Sequence, residues 1–224
     1  MDTGRIAELL QPFLLSPTEE TVLTSISIYI DILLRWNARI NLTALRQPEE
    51  IVTRHFGESL FAARHLFPRA GVEAGDAPAE AGGNAAPQVV DVGSGAGFPG
   101  LPLKLWAPRI RLTLIESNQK KATFLREVTR SLKLTNMDVF SGRAQDFPAT
   151  SADVVTLRAV ERFESVLPVA ASLVGPGGRL ALLIGRPQAD RVPGLTPGFQ
   201  WNVPLPVPLS ATRVLLVGAL KARA

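Results

Sequence analysis

Hydrophobic residues change their period along this chain. Up to about Pro68 they recur at helical spacing, and from Val89 onward short apolar runs alternate with helical stretches. Thr18-Glu19-Glu20-Thr21 supplies the hydroxyl and early carboxylates that start a helix. Ile26, Ile30, Leu33, Leu34 and Trp36 follow on one face. Pro48 with Glu49 and Glu50 reads as the first turn of another helix, continued by Ile51, Val52 and Phe56 and then by Leu60, Phe61, Ala63 and Leu66. Arg69 to Gln88 is rich in Gly, Ala and Pro and holds no large hydrophobe beyond Val72. Such a stretch cannot bury a core, so it predicts a linker between a helical N-terminal cap (1–68) and a main domain (89–224).

The main domain reads as strands over Val89–Val92, Arg111–Glu116, Met137–Phe140, Val154–Leu157 and Arg179–Ile184. Helices are expected over Leu101–Trp106, about Asn118–Leu132 and about Phe163–Leu173, with Gly175-Pro176-Gly177-Gly178 as a turn. Pro187 to Pro208 is proline-rich and expected to be irregular, and Arg213–Val217 should be a final, antiparallel strand. The alternation predicts an α/β fold: an open, mostly parallel, Rossmann-like sheet with helices on both faces.

With 224 residues, the chain can bury one such core plus a small accessory unit. It has no cysteine, which removes disulfides, thiolate nucleophiles and Cys-based metal sites. His55 and His65 are its only histidines, so a histidine-built metal site is not expected. The N-terminus lacks a signal-peptide layout and no apolar run approaches a membrane span, so a cytoplasmic protein is expected. The net charge of +4 suggests an anionic partner.

The most specific local signal is Asp91-Val92-Gly93-Ser94-Gly95-Ala96-Gly97-Phe98-Pro99-Gly100. Alternate glycines between a strand and a helix let a ligand lie against main-chain N–H groups, at the positive end of the helix. Two cofactors compete for such a loop. Gly95 to Gly100 satisfies the dinucleotide pattern G-x-G-x-x-G, and Glu116 follows about 20 residues on, where a ribose-binding carboxylate is expected. From Asp91 the same stretch reads D-x-G-x-G-x-G, the loop of S-adenosylmethionine-dependent methyltransferases.

Ligands of an open α/β sheet sit beyond the carboxyl ends of the strands. Asp91, Gly93, Glu116, the run Gly142-Arg143-Ala144-Gln145-Asp146 and Arg158 all fall at such ends. Together with Trp36-Asn37, Asn41-Leu42-Thr43, Arg46 and Arg54-His55, these residues make the chain resemble the bacterial glucose-inhibited division B family. The likeness runs from about Ile26 to Val217, and the W-N-x-x-x-N-L-T segment is its least common part.

The resemblance implies a class I S-adenosylmethionine-dependent methyltransferase acting on N7 of one guanine in 16S rRNA, near the decoding centre. It implies that Asp91, Gly93, Gly95, Gly97 and Phe98 form the cofactor loop, that Glu116 holds the ribose, and that Ala144 and Gln145 line the adenine. Arg158 would face the cofactor or the target nucleotide as the catalytic residue, with Arg54, His55 and Arg143 toward the substrate. The partner would be 16S rRNA or the small ribosomal subunit, and the protein a monomer. Ile184-Gly185 stands where many relatives carry Lys-Gly, Glu58 where Asp is usual, and the position of the family's late Lys falls near Ala219, although Arg213 is kept.

Guanine N7 carries a lone pair at neutral pH, so methylation there needs no general base. Leu157-Arg158-Ala159-Val160 after the fourth strand lacks the motif of adenine-N6 enzymes, and cytosine-C5 chemistry would need a cysteine. Other readings are a methyltransferase on another substrate, a nicotinamide-dependent oxidoreductase, for which a Tyr-x-x-x-Lys pair is missing, and a non-catalytic ribosome-assembly factor.

Overall fold

The structure, a computed structural model, describes residues 1–68 and 86–221. The linker expected over 69–88 lies outside the described residues except for 86–88, and Gln88 already opens the first strand.

The N-terminal part begins with α1 (Thr3–Leu10), capped by Asp2, whose carboxylate accepts the Arg5 N–H at 2.9 Å. The next helix, α2 (Glu20–Asn37), starts after Glu19 without any side-chain cap, so Thr18 does not cap it as expected. A short α3 (Pro48–Ile51) passes through a π-helical turn over Val52–Gly57 into α4 (Glu58–Leu66). Widened turns of that kind often sit at functional sites; this one carries Arg54 and His55.

The sheet is built from β1 (Gln88–Val92), β2 (Arg111–Glu116), β3 (Met137–Ser141), β4 (Ala152–Arg158) and β5 (Val174–Gly185), all parallel. Between them run α5 (Gly100–Trp106), α6 (Gln119–Ser131) and α7 (Phe163–Ser172). After β5 come α8 (Arg186–Ala189), α9 (Val192–Leu195), β6 (Phe199–Trp201), β7 (Leu205–Pro206) and β8 (Arg213–Leu220). The order is β3-β2-β1-β4-β5-β8-β6, with β7 also on β8, and every pairing with β8 is antiparallel. The direction of winding reverses between β1 and β4, which places a ligand crevice at their carboxyl ends.

Pro187 to Pro208 is irregular only in part: short elements α8, α9, β6 and β7 alternate with the stretches 190–191, 196–198, 202–204 and 207–208. Prolines occupy the first turns of α8 and α9, where the missing N–H has no partner to lose. Phe199–Trp201 pairs with β8 and buries Phe199. The Gly175–Gly178 turn is absorbed into β5, whose pairing with β4 shifts register there.

Side chains along each central strand alternate between two cores. Val89, Leu112, Leu114, Val154 and Leu183 face the core shared with α1 to α6. Val90, Ile115, Val155, Leu157 and Leu182 face the core shared with α7, α8 and α9. The N-terminal helices thus form one of the layers that cover the sheet.

Candidate cofactor and active site

The glycine loop is held from below. Gly93 and Ser94 donate their N–H groups to Ile115 O at 2.9 and 3.0 Å, tying the end of β1 to β2. Glu116 Oε2 accepts the Gly95 N–H at 2.8 Å and Oε1 accepts the Asn118 N–H at 2.7 Å. Asp91 is fully buried: Oδ1 accepts from the Thr156 hydroxyl at 2.7 Å and Oδ2 from the Gly100 N–H at 3.3 Å. Burial pushes its carboxyl up to about 6, partly offset by those bonds. Asp91, expected among the cofactor contacts, instead braces the loop against β4 and the start of α5.

The glycines differ in role. Gly95 has φ +57, and a Cβ built there would face open space, with Gly93 O nearest at 3.8 Å. Gly97 has φ +86, and its Cβ would strike the Tyr29 hydroxyl and lie 2.6 Å from Leu101 Cδ1. Gly97 must be glycine because a helix packs on it; Gly95 leaves room for something absent from the protein itself.

Tyr29, on α2, donates its buried hydroxyl to Ala96 O at 2.5 Å. Its ring stacks on Phe98 with centroids 5.4 Å apart and planes 4° apart. His55 stacks on Phe98 at 4.6 Å and 24°. Packed against Tyr29, Phe56 and His55 and buried, the Phe98 ring wedges the loop against α2 and the π-helical turn.

Arg158 ends β4 and is buried. Its Nη2 donates to Arg54 O at 2.6 Å, His55 Nδ1 at 3.2 Å and Glu58 Oε2 at 3.1 Å. Its Nη1 is buried and has no hydrogen-bond partner among the described residues. Glu58 Oε1 lies 3.0 Å from Arg213 Nε on β8, an ion pair whose N–H points off the hydrogen-bond line. Burial brings the Arg158 guanidinium down to about 10, against the pull of Glu58.

A guanidinium only donates, so His55 Nδ1 is the acceptor and Nε2 carries the proton. Nε2 is 2.7 Å from Thr43 Oγ1. Burial and the neighbouring charges of Arg158, Arg213 and Arg54 hold this imidazole down at about 3, so it is neutral. His55 was expected to touch substrate; with both nitrogens engaged it positions Arg158 instead. The Arg54 side chain is exposed, and its carbonyl is the group that serves Arg158.

Thr43 is placed by Asn37, which accepts the Leu42 and Thr43 N–H groups and donates to Thr43 O and Leu45 O. Trp36 Nε1 donates to Glu127 on α6 at 3.0 Å, while Asn41 is exposed. The W-N-x-x-x-N-L-T segment therefore works as a bracket behind the site.

After β3, Gly142 N donates to Glu116 O at 3.1 Å, tying the segment that leads to the turn Ala144–Asp146 to the end of β2. Arg143 and Gln145 are exposed and Ala144 is half-buried. After β4, Ala159 and Arg162 both take left-handed backbones, with φ of 48° and 54°. Non-glycine residues so placed cost about 1–2 kcal/mol each and concentrate at functional loops.

These features fit an adenosyl cofactor. The carboxylate of Glu116 keeps lone pairs that ribose hydroxyls could share, Gly95 presents an uncluttered backbone, and the segment after β3 is tied to Glu116. Sequence reasoning singled out Thr43 only as part of the W-N-x-x-x-N-L-T segment and missed Tyr29 and Thr156, which act through contacts far away in the chain.

A model of the family described as rRNA small subunit methyltransferase G matches residues 22–200. The chain belongs to this family. The match covers both the bracket behind His55 and the strand ends that carry Glu116 and Arg158. A ribosomal RNA small subunit methyltransferase G from Xanthomonas euvesicatoria is 36% identical over 195 residues, 84% of this chain and 82% of the relative. One from Myxococcus xanthus is 37% identical over 162 residues, 70% of this chain and 67% of the relative. The fold is similar to that of a ribosomal protein L11 methylase from Lactobacillus delbrueckii, with TM-score 0.59 and 10% identity over 76% of this chain and 80% of that one. Among the described residues no helix is long and apolar enough to cross a membrane, and no acidic or histidine cluster could hold a metal.

Proposed function

We infer that this protein transfers a methyl group from S-adenosylmethionine to N7 of one guanine in 16S rRNA. The family it belongs to supports the reaction class, and the titratable groups of the site support the choice of atom. Both nitrogens of His55, both oxygens of Asp91 and both oxygens of Glu58 are committed to partners. A site so arranged suits a nucleophile that arrives with its lone pair ready.

Bound S-adenosylmethionine supplies an electrophilic methyl group. Glu116 holds the ribose, Gly95 lets the nucleoside lie on the backbone, and Ala144 and Gln145 flank the adenine. Arg158 offers Nη1 as the donor that fixes the guanine through its O6, while Glu58 and His55 keep the guanidinium from turning. Placement of this kind can supply roughly 7–11 kcal/mol of a barrier. Arg143, exposed after β3, meets the RNA backbone. The protein acts as a monomer on the small subunit, in the cytoplasm.

The test is transfer of radiolabelled methyl to small subunits that lack the modification, followed by borohydride–aniline cleavage at 7-methylguanine. One cleavage in the decoding region is expected. Cofactor binding with no label in RNA would overturn the assignment in favour of another substrate or an assembly role.

A further inference from the structure

A cavity of about 420 Å³ opens between the start of α7 and the α8–α9 segment, lined by Arg162, Phe163, Glu164, Ser165, Gln188 and Arg191 among others. Arg162 follows the end of β4 and Gln188 the end of β5, so the cavity lies on the same edge of the sheet as the glycine loop. A similar volume beside Lys104, Pro108 and Lys133 lies at the opposite edge, where β2 and β3 begin. The first lies at the strand-end side of β4, four residues beyond Arg158.

Its chemistry is that of an anion site with a competing carboxylate. Arg162 and Arg191 are both exposed and both contribute guanidinium donors to the walls. The Gln188 carbonyl oxygen accepts the Gly185 N–H at 3.1 Å, which leaves its amide NH2 as the group for a ligand. The Ser165 hydroxyl donates back to Arg162 O at 2.9 Å. The acid in the lining is Glu164, ion-paired with Arg191, and their side chains are 54% and 63% exposed. A pair that exposed is readily exchanged for a better anion. Arginine forks match phosphate oxygens two at a time.

We propose that this cavity binds a phosphodiester of the RNA strand beside the target nucleotide, gripped by Arg162 and Arg191 with Glu164 displaced. The proposal rests on the RNA-methyltransferase reading for its ligand class and adds a subsite to it. RNA reaching from the active site across the ends of β4 and β5 passes over this opening. Glu164 weakens the grip, because any phosphate entering must take Arg191 from it.

The experiment measures binding of a fluorescein-labelled single-stranded 16S rRNA fragment to the full chain over a range of KCl concentrations. Arg162→Ala and Arg191→Ala should each weaken binding roughly tenfold. The double variant should lower the slope of log affinity against log salt by about 0.7, the value for one phosphate contact on a single strand. Glu164→Gln should tighten binding about threefold by removing the competing charge. Arg191→Lys keeps the charge and should keep the slope. S-adenosylmethionine affinity and melting temperature, measured alongside, should match the wild type.

Opposite signs for Glu164→Gln and Arg191→Ala support the subsite, since shared structural damage would move both the same way. Unchanged affinity and slope in the double variant overturn it, even if the wild type methylates normally. Wild-type binding that depends on the two arginines without any methyl transfer overturns the proposed reaction and keeps the subsite. No binding of RNA by the wild type overturns both.

Discussion

Arg158 Nη2 lies 3.1 Å from Glu58 Oε2, and both side chains are almost wholly withdrawn from water. Removing one member of a buried pair leaves the other charge uncompensated, at about 3–5 kcal/mol. Glu58→Ala should therefore lower folding stability by that amount, read from urea denaturation. Glu58→Gln, which still offers Arg158 an oxygen, should cost less. Equal losses for both would show that the charge is not what matters.

The glycines of the loop separate binding from folding. Gly95→Ala places a methyl group in open space at a left-handed backbone, a strain of about 1–2 kcal/mol. It should fold and fail to bind S-adenosylmethionine in calorimetry. Gly97→Ala drives a methyl into the Tyr29 hydroxyl and should lose the fold itself, seen as a collapsed melting transition.

Thr43 holds His55 from the side away from Arg158. Thr43→Val removes the hydroxyl at nearly constant volume and lets the imidazole and then Arg158 shift. Misplacement of that kind should lower kcat roughly tenfold to a hundredfold with cofactor affinity unchanged. Thr43→Ser should restore the rate. A valine variant that turns over at the wild-type rate would remove Thr43 from the positioning chain.

Two buried groups should give opposing dependences of stability on pH. Asp91 titrates at about 6 in the fold against 3.8 as the ordinary value, so its stabilisation is full below pH 3.8 and lost as pH rises through 6. His55 titrates at about 3 against 6.5, so its stabilisation is full above pH 6.5 and lost as pH falls toward 3. Between about pH 4 and 6 the two slopes oppose one another. Asp91→Asn should make the protein lose stability on acidification through that window, relative to the wild type, by of order 2–3 kcal/mol. Denaturation midpoints at several pH values check the sign.

The central strands and the glycine loop were legible because their signals are local. An apolar run of four to six residues between turn residues is a strand whatever surrounds it, and Gly93, Gly95 and Gly97 announce a tight loop by themselves. Glu116 was legible for the same reason, since its distance from the loop follows from one helix and one strand. The short elements after Gly185 were not. Their prolines mark loops in general, and here they sit where a helix can start or an edge strand can spare a donor.

The chain by itself determined the α/β class, the loop at the end of β1, the carboxylate at the end of β2 and the arginine at the end of β4. Tertiary structure alone decided what those residues touch. Tyr29 and Ala96 meet across 67 residues, and Arg158 and Glu58 across 100. Such partners have no spacing that a sequence pattern can reveal, because separation along the chain says nothing about which faces of a layered fold come to share one core. Asp91 turned inward as a brace, Phe98 became a wedge and His55 a prop because buried polar groups and ring faces must find partners; Thr156 and Gly100 supplied those of Asp91, and Tyr29 and Thr43 of the N-terminal layer met Phe98 and His55.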